Sequence, residues 1–223
     1  MPSIGFAAYL KLIALNPKPR DTELRKKLLG EGGGYDFHHR IKRASRRYVF
    51  GEATMAELEA EAEEIQRASE RTAYSEGLAK LETWRKATPG EALLIPSKVH
   101  TPEGKRFSLQ ARPEFGLLDA GRITAFHVWN TKRPKLTEAD ARNALSLLPA
   151  LYADDDVPPD DFAILSLREP KVYRLSELGC QPAAAHFTAA DIEQRIQKIL
   201  DKASPPPPPP PGGTAELPPP LPG

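Results

Sequence analysis

Near residue 90 the hydrophobic period of the chain changes, and this limits the fold more than any other feature of the sequence. Before it, apolar residues recur every three or four positions, as in helices that bury one face. After it they alternate or run together, as in half-buried and fully buried strands. The 223 residues therefore read as an α+β protein with an α/β-like core. A helical N-terminal region spans 1–88, and a central mixed β-sheet flanked by helices spans 89–203. Eleven of the 24 prolines fall in Ser204–Gly223, seven of them consecutive at Pro205–Pro211. Such a segment cannot bury enough apolar surface to fold, so it reads as a disordered polyproline tail. It is either a spacer or a ligand for a proline-binding protein partner.

In the helical half, Ile4, Ala8, Leu12 and Leu15 fit one helix face, which Pro17-Lys18-Pro19 breaks. The N-terminus has neither a basic leader nor a small-residue cleavage site, so the expected compartment is the cytoplasm. No apolar run approaches a membrane span, and no membrane association is expected. A second helix covers about Asp21–Leu29 and stops at Gly30. A third, over Tyr35–Tyr48, puts Phe37, Ile41, Ala44 and Tyr48 along one face. Thr54-Met-Ala-Glu57 matches a capping box. It opens one long helix, or two joined near Ser75-Glu76-Gly77, that ends before Pro89.

In the second half, Ala92–Pro96, Phe107–Ala111, Phe115–Leu118 and Ile123–Trp129 read as strands, with a hairpin turn at Asp119–Arg122. A helix starts at Thr137 and carries Ala141, Ala144, Leu145, Leu148 and Leu151. Two further strands, Phe162–Leu167 and Lys171–Leu175, precede a last helix that opens at Thr188.

Charge is uneven. Residues 1–50 hold eleven Lys/Arg and four Asp/Glu, a net of +7, although the whole chain is only +1. Arg40, Lys42, Arg43, Arg46 and Arg47 lie within eight residues. This run suits contact with the phosphates of DNA or RNA. It equally suits pairing with the acidic helix face of Glu57–Glu64 in the same chain.

Several chemistries find no residues to carry them. The single Cys180 rules out an internal disulfide and a cysteine-clustered zinc site. His38 and His39 are adjacent, so on a helix they point about 100° apart and do not share a metal easily. One constellation remains. Pro113-Glu114 begins a strand, and the return strand ends in Asn130-Thr131-Lys132. A turn centred between Ala120 and Gly121 puts Glu114 opposite His127. Asn130 and Lys132 are two apart on that strand and so face the same side, and a carboxylate, an amide oxygen and a lysine thus converge at one end of a hairpin. That set is of the kind that holds a divalent cation and positions a water for attack on phosphate.

This order of elements resembles the PD-(D/E)XK nuclease-like superfamily, the restriction-endonuclease-like fold, over about residues 54–175. That fold runs helix, three-strand meander, helix, strand. The resemblance places the proline–acid step on Pro113-Glu114 and the acid-x-lysine step on Asn130-Thr131-Lys132. It implies a Mg²⁺-dependent nuclease in which Glu114 and Asn130 hold the metal and Lys132 acts on the attacking water or on developing charge. Glutamate stands for the usual aspartate and asparagine for the second acid. Losing one carboxylate weakens a site for a hard cation. The expected function is a divergent nuclease-like protein with impaired or lost catalysis, or a non-catalytic α/β module that binds protein or nucleic acid.

Overall fold

The computed structural model describes residues 1–30 and 38–203. The expectations for Tyr35, Phe37 and the polyproline tail lie outside the described residues. The chain runs β1 (Ser3–Gly5), α1 (Phe6–Ala14), α2 (Pro17–Leu29), α3 (His39–Val49), α4 (Met55–Glu63) and α5 (Ala68–Ala87). It continues through β2 (Glu91–Leu93), β3 (Lys98–His100), β4 (Ser108–Ala111), β5 (Phe115–Asp119) and β6 (Arg122–Trp129). It closes with α6 (Glu138–Leu145), α7 (Pro149–Tyr152), β7 (Asp161–Ser166), β8 (Lys171–Arg174), α8 (Leu175–Leu178) and α9 (Pro182–Ala203). The fold is a mixed α+β architecture with a five-stranded sheet, β2-β5-β6-β7-β8, and a three-stranded sheet, β1-β4-β3. No helix among the described residues is long and apolar enough to cross a membrane.

The central pair β6 and β7 is parallel, while the other pairs of the larger sheet are antiparallel. Successive side chains of a strand face opposite sides, and two cores form accordingly. Ala125, Trp129, Phe162 and Ile164 join one core with α1, α6 and α9. Phe126, Val128, Ala163 and Leu165 join the other with α3, α4 and α5. All six residues of β7 are buried, which explains its unbroken apolar run.

Local signals position several elements as the sequence predicts. Thr54 and Glu57 form the capping box of α4, and Thr137 and Asp140 form that of α6. Gly30, at φ +69°, ends α2 in the left-handed conformation. The β5–β6 hairpin turns through Ala120 (φ +47°) and Gly121 (φ +76°). Both residues need positive φ in this two-residue loop, a conformation that favours Asn-Gly over Ala-Gly. Ala120→Asn is expected to raise stability by about 0.5–1 kcal/mol by easing left-handed strain, seen as a higher urea midpoint with unchanged slope. An unchanged midpoint would remove strain at Ala120 from the account.

Several boundaries differ from the sequence reading, among them the start of α2, at Pro17 and not near Asp21, since proline is tolerated in the first turn of a helix. Ile4 lies in β1, which pairs in parallel with β4, so the first helix begins only at Phe6. The long helical stretch breaks at residues 64–67 and runs unbroken through Gly77. A side chain at Gly77 would press on Ile41 at 3.1 Å, so this glycine lets α3 approach α5 and does not mark a joint. The helix from Thr137 stops at Leu145, and Leu151 belongs to α7, which starts at Pro149. The last helix starts at Pro182, six residues before Thr188, because Ala185 and Ala189 already bury in the core that α9 shares with α2 and α6.

Candidate functional site

The geometry around Glu114 begins with the hairpin register. Phe115 pairs with Phe126, and the Glu114 N–H donates to the Phe126 carbonyl at 2.9 Å. This sets Glu114 across from His127, as the turn position predicts. The Glu114 Oε2 accepts the Val128 N–H at 2.8 Å and stands 3.7 Å from His127 Nδ1. The Glu114 side chain is 15% exposed. Burial pushes its carboxyl up to about 7, against the opposing pull of the Lys42 charge and the Val128 N–H. Burial, helped by Lys42, pushes the His127 imidazole down to about 3. His127 shares a sheet face with Ala125 and Trp129, and there Phe6 of α1 stacks on its ring, 4.0 Å between centroids. Burial thus favours the neutral form of both groups.

Asn130 and Lys132 do not continue the strand. β6 ends at Trp129, and the Asn130 side chain turns into the α5 side. Its Nδ2 donates to the Ala73 carbonyl at 3.1 Å, while its Oδ1 is buried without a hydrogen-bond partner. Lys132 is exposed. The two residues therefore do not share a face, because the chain leaves the sheet where the β6–β7 pairing ends at Trp129 and Ser166.

This donor set does not fit Mg²⁺. Glu114 offers one carboxylate that holds its proton up to about pH 7. The Asn130 oxygen is sealed from solvent. Across from Glu114 stands a histidine, and no cluster of three His, Cys, Asp or Glu fit for a metal occurs among the described residues. Hard divalent cations bind through several charged or exposed oxygens, and these residues do not bring them together.

Glu114, His127, Asn130 and Lys132 all line one cleft of about 1610 Å³. It opens at the C-terminal ends of the parallel strands β6 and β7, where open α/β sheets commonly take ligands. Lys42, Arg43 and Arg46 reach it from α3, and Arg112 from the link between β4 and β5. Lys132 and Arg133 follow β6, Arg168 follows β7, and Lys11 and Lys27 come from α1 and α2. These nine Lys/Arg face two lining carboxylates, Glu76 and Glu114. Glu76 pairs with Arg168 at 2.8 Å, and Lys11 pairs with Glu23. Arg43, Arg46, Arg112, Lys132 and Arg133 have no ion-pair partner among the described residues.

The basic run on α3 is divided. Arg40 pairs with Glu70 at 3.4 Å, and Arg47 with Glu61 at 2.5 Å. Lys42, Arg43 and Arg46 turn to the cleft, with the Arg46 guanidinium over the Phe50 ring. The pairing with acidic helices thus applies to Arg40 and Arg47, while Lys42, Arg43 and Arg46 line the cleft. The sequence reading did not single out Lys11, Lys27, Arg112, Arg133 or Arg168. The only local signal was the adjacency of Arg112 to Pro113-Glu114 and of Arg133 to Lys132.

No family model matches the chain, and no curated protein does. Among solved structures the chain is similar to SSO0001, with 16% identity over 78% of this chain and 84% of that one, at a TM-score of 0.35.

Proposed function

We propose that this protein is a nuclease-like module that binds the phosphate backbone of nucleic acid in its cleft without cutting it. The observation that carries the reading is charge convergence. A chain of net charge +1 gathers nine Lys/Arg around one cleft that, among the described residues, is lined by two carboxylates. A composition this balanced does not produce such a concentration by itself, and it raises the local concentration of polyanions. Each neutralised phosphate releases condensed counterions, which is the main driving term of non-specific binding.

Two features support the nuclease-like part of the reading. Helix α5, the antiparallel strands β2, β5 and β6, helix α6 and parallel β7 occur in the order that the resemblance implies, with β3 and β4 of the smaller sheet inserted between β2 and β5 and α7 between α6 and β7. Glu114 stands at the entry of β5, where that resemblance places its first acid. The donor chemistry at Glu114 supports binding without cutting. A single carboxyl whose pKa burial raises to about 7, facing a neutral histidine, leaves no paired carboxylates to organise hydrolysis.

Fluorescence anisotropy with labelled oligonucleotides, in the presence and absence of Mg²⁺, tests both halves. Binding that weakens steeply with salt, with the oligonucleotide intact after incubation, is the expected result. No salt-dependent binding to any strand form would overturn the binding role. Mg²⁺-dependent cleavage that disappears in Glu114→Ala would overturn the claim that the module does not cut.

A further inference from the structure

We infer that the cleft takes an unpaired strand, with phosphates on its cationic sides and bases on an apolar floor. The inference deepens the nucleic-acid reading above and rests on it.

The first observation is the disposition of charge. Helix α1 packs into the core on one face of the large sheet, and α3 packs into the core on the other. Lys42, Arg43 and Arg46 thus approach the cleft from one side of the sheet and Lys11 and Lys27 from the other. The cations flank a trough, where a strand with a backbone to track can lie lengthwise.

The second observation is the floor. Beside the polar groups of the β6 end, the lining includes the apolar residues Ala7 and Ala8 of α1 and Leu94 and Ile95 just after β2. Leu94 is 69% exposed, and it is a large aliphatic side chain held at the mouth of a strongly basic cleft. A single exposed leucine is ordinary on a protein surface. In a cleft that attracts phosphates it meets whatever the phosphates bring with them. A duplex keeps its base faces stacked inside and presents only phosphates and groove edges. An unpaired strand offers the flat apolar faces of its bases, which suit such a floor.

Size agrees with this. At about 1610 Å³ the cleft exceeds the ~300–1,000 Å³ usual for small-molecule sites. It has room for a short run of nucleotides and not merely for one free phosphate.

The experiment compares the full chain on a labelled 12-mer as single-stranded DNA, as single-stranded RNA of the same sequence, and as duplex, at one salt concentration. Either single strand is expected to bind at least about tenfold tighter than the duplex, and a preference between DNA and RNA in either direction supports the inference. Leu94→Ala is expected to weaken single-strand binding by about fivefold, from lost apolar contact, with the salt slope unchanged. Leu94→Trp is expected to tighten it, since an aromatic face stacks better on a base. Because Leu94 is exposed, both variants should melt with the parent protein. Duplex binding as tight as single-strand binding, or indifference to both Leu94 variants, would overturn the inference and leave the nucleic-acid reading standing. No binding to any of the three would overturn that reading itself.

Discussion

Replacing Arg43 and Arg46 together by alanine is expected to flatten the salt dependence of nucleic-acid binding by about two phosphate contacts. On a single strand each contact contributes about 0.7 to the slope of log K against log salt, so the slope falls by about 1.4. On duplex, at about 0.9 per contact, it falls by about 1.8. Carried from 1 M to 0.1 M salt, the single-strand figure corresponds to roughly 25-fold weaker binding. Folding should be little affected, because neither residue has an ion pair among the described residues and Arg43 is exposed. Arg47→Ala is the matched contrast. Its guanidinium is engaged with Glu61 of α4, so its loss should cost up to about 1 kcal/mol of stability and leave the salt slope unchanged. A double variant with the parent slope, or an Arg47→Ala slope that drops as much, would end the assignment of Arg43 and Arg46 to phosphate.

The Glu114–His127 pair makes a second large prediction, in stability against pH. Burial raises the Glu114 pKa from 4.5 to about 7, so between those values the folded state binds a proton that the unfolded chain has released. Glu114 therefore lowers stability as pH rises through that window. Burial lowers the His127 pKa from 6.5 to about 3, so there the unfolded chain binds the extra proton. His127 therefore raises stability as pH rises through its own window. The two slopes oppose each other between pH 4.5 and 6.5 and nearly cancel in the parent protein. Glu114→Gln removes one of them. Its stability should climb by about 1.4 kcal/mol per pH unit over that range, the value for a single proton. His127→Gln should show the mirror image, with stability falling by a similar slope as pH rises. Urea denaturation at a series of pH values measures both. Parallel profiles for the parent and the two variants would mean that the pair is not desolvated as the geometry indicates.

Much of the fold was legible because its signals are local. Capping boxes at Thr54 and Thr137 satisfy backbone donors within their own first turn, so four adjacent residues suffice to find them. The turn at Ala120-Gly121 determined the register of β5 on β6, and with it the position of Glu114 across from His127. Strands β1 and β3, of three residues each, are too short to display a period of two, and β1 is fixed only by its pairing with distant β4, Ser3 to Ser108. Gly77 misled because a helical glycine reads as a weak point, and only the approach of Ile41 explains it.

The sequence by itself determined the fold class, the order of elements and the basic character of α3, since each rests on periodicity or on neighbours a few residues apart. Tertiary structure alone decided which charges matter. Arg40 and Arg47 are consumed by Glu70 and Glu61, while Arg43 and Arg46 of the same helix line the cleft. Lys11, Lys27, Arg112, Arg133 and Arg168 come to that cleft from separate segments with no common spacing. Exposed charges carry no packing requirement, so they leave no periodic trace in a sequence. Their meeting is a consequence of where the sheet ends its strands and of which faces the helices cover.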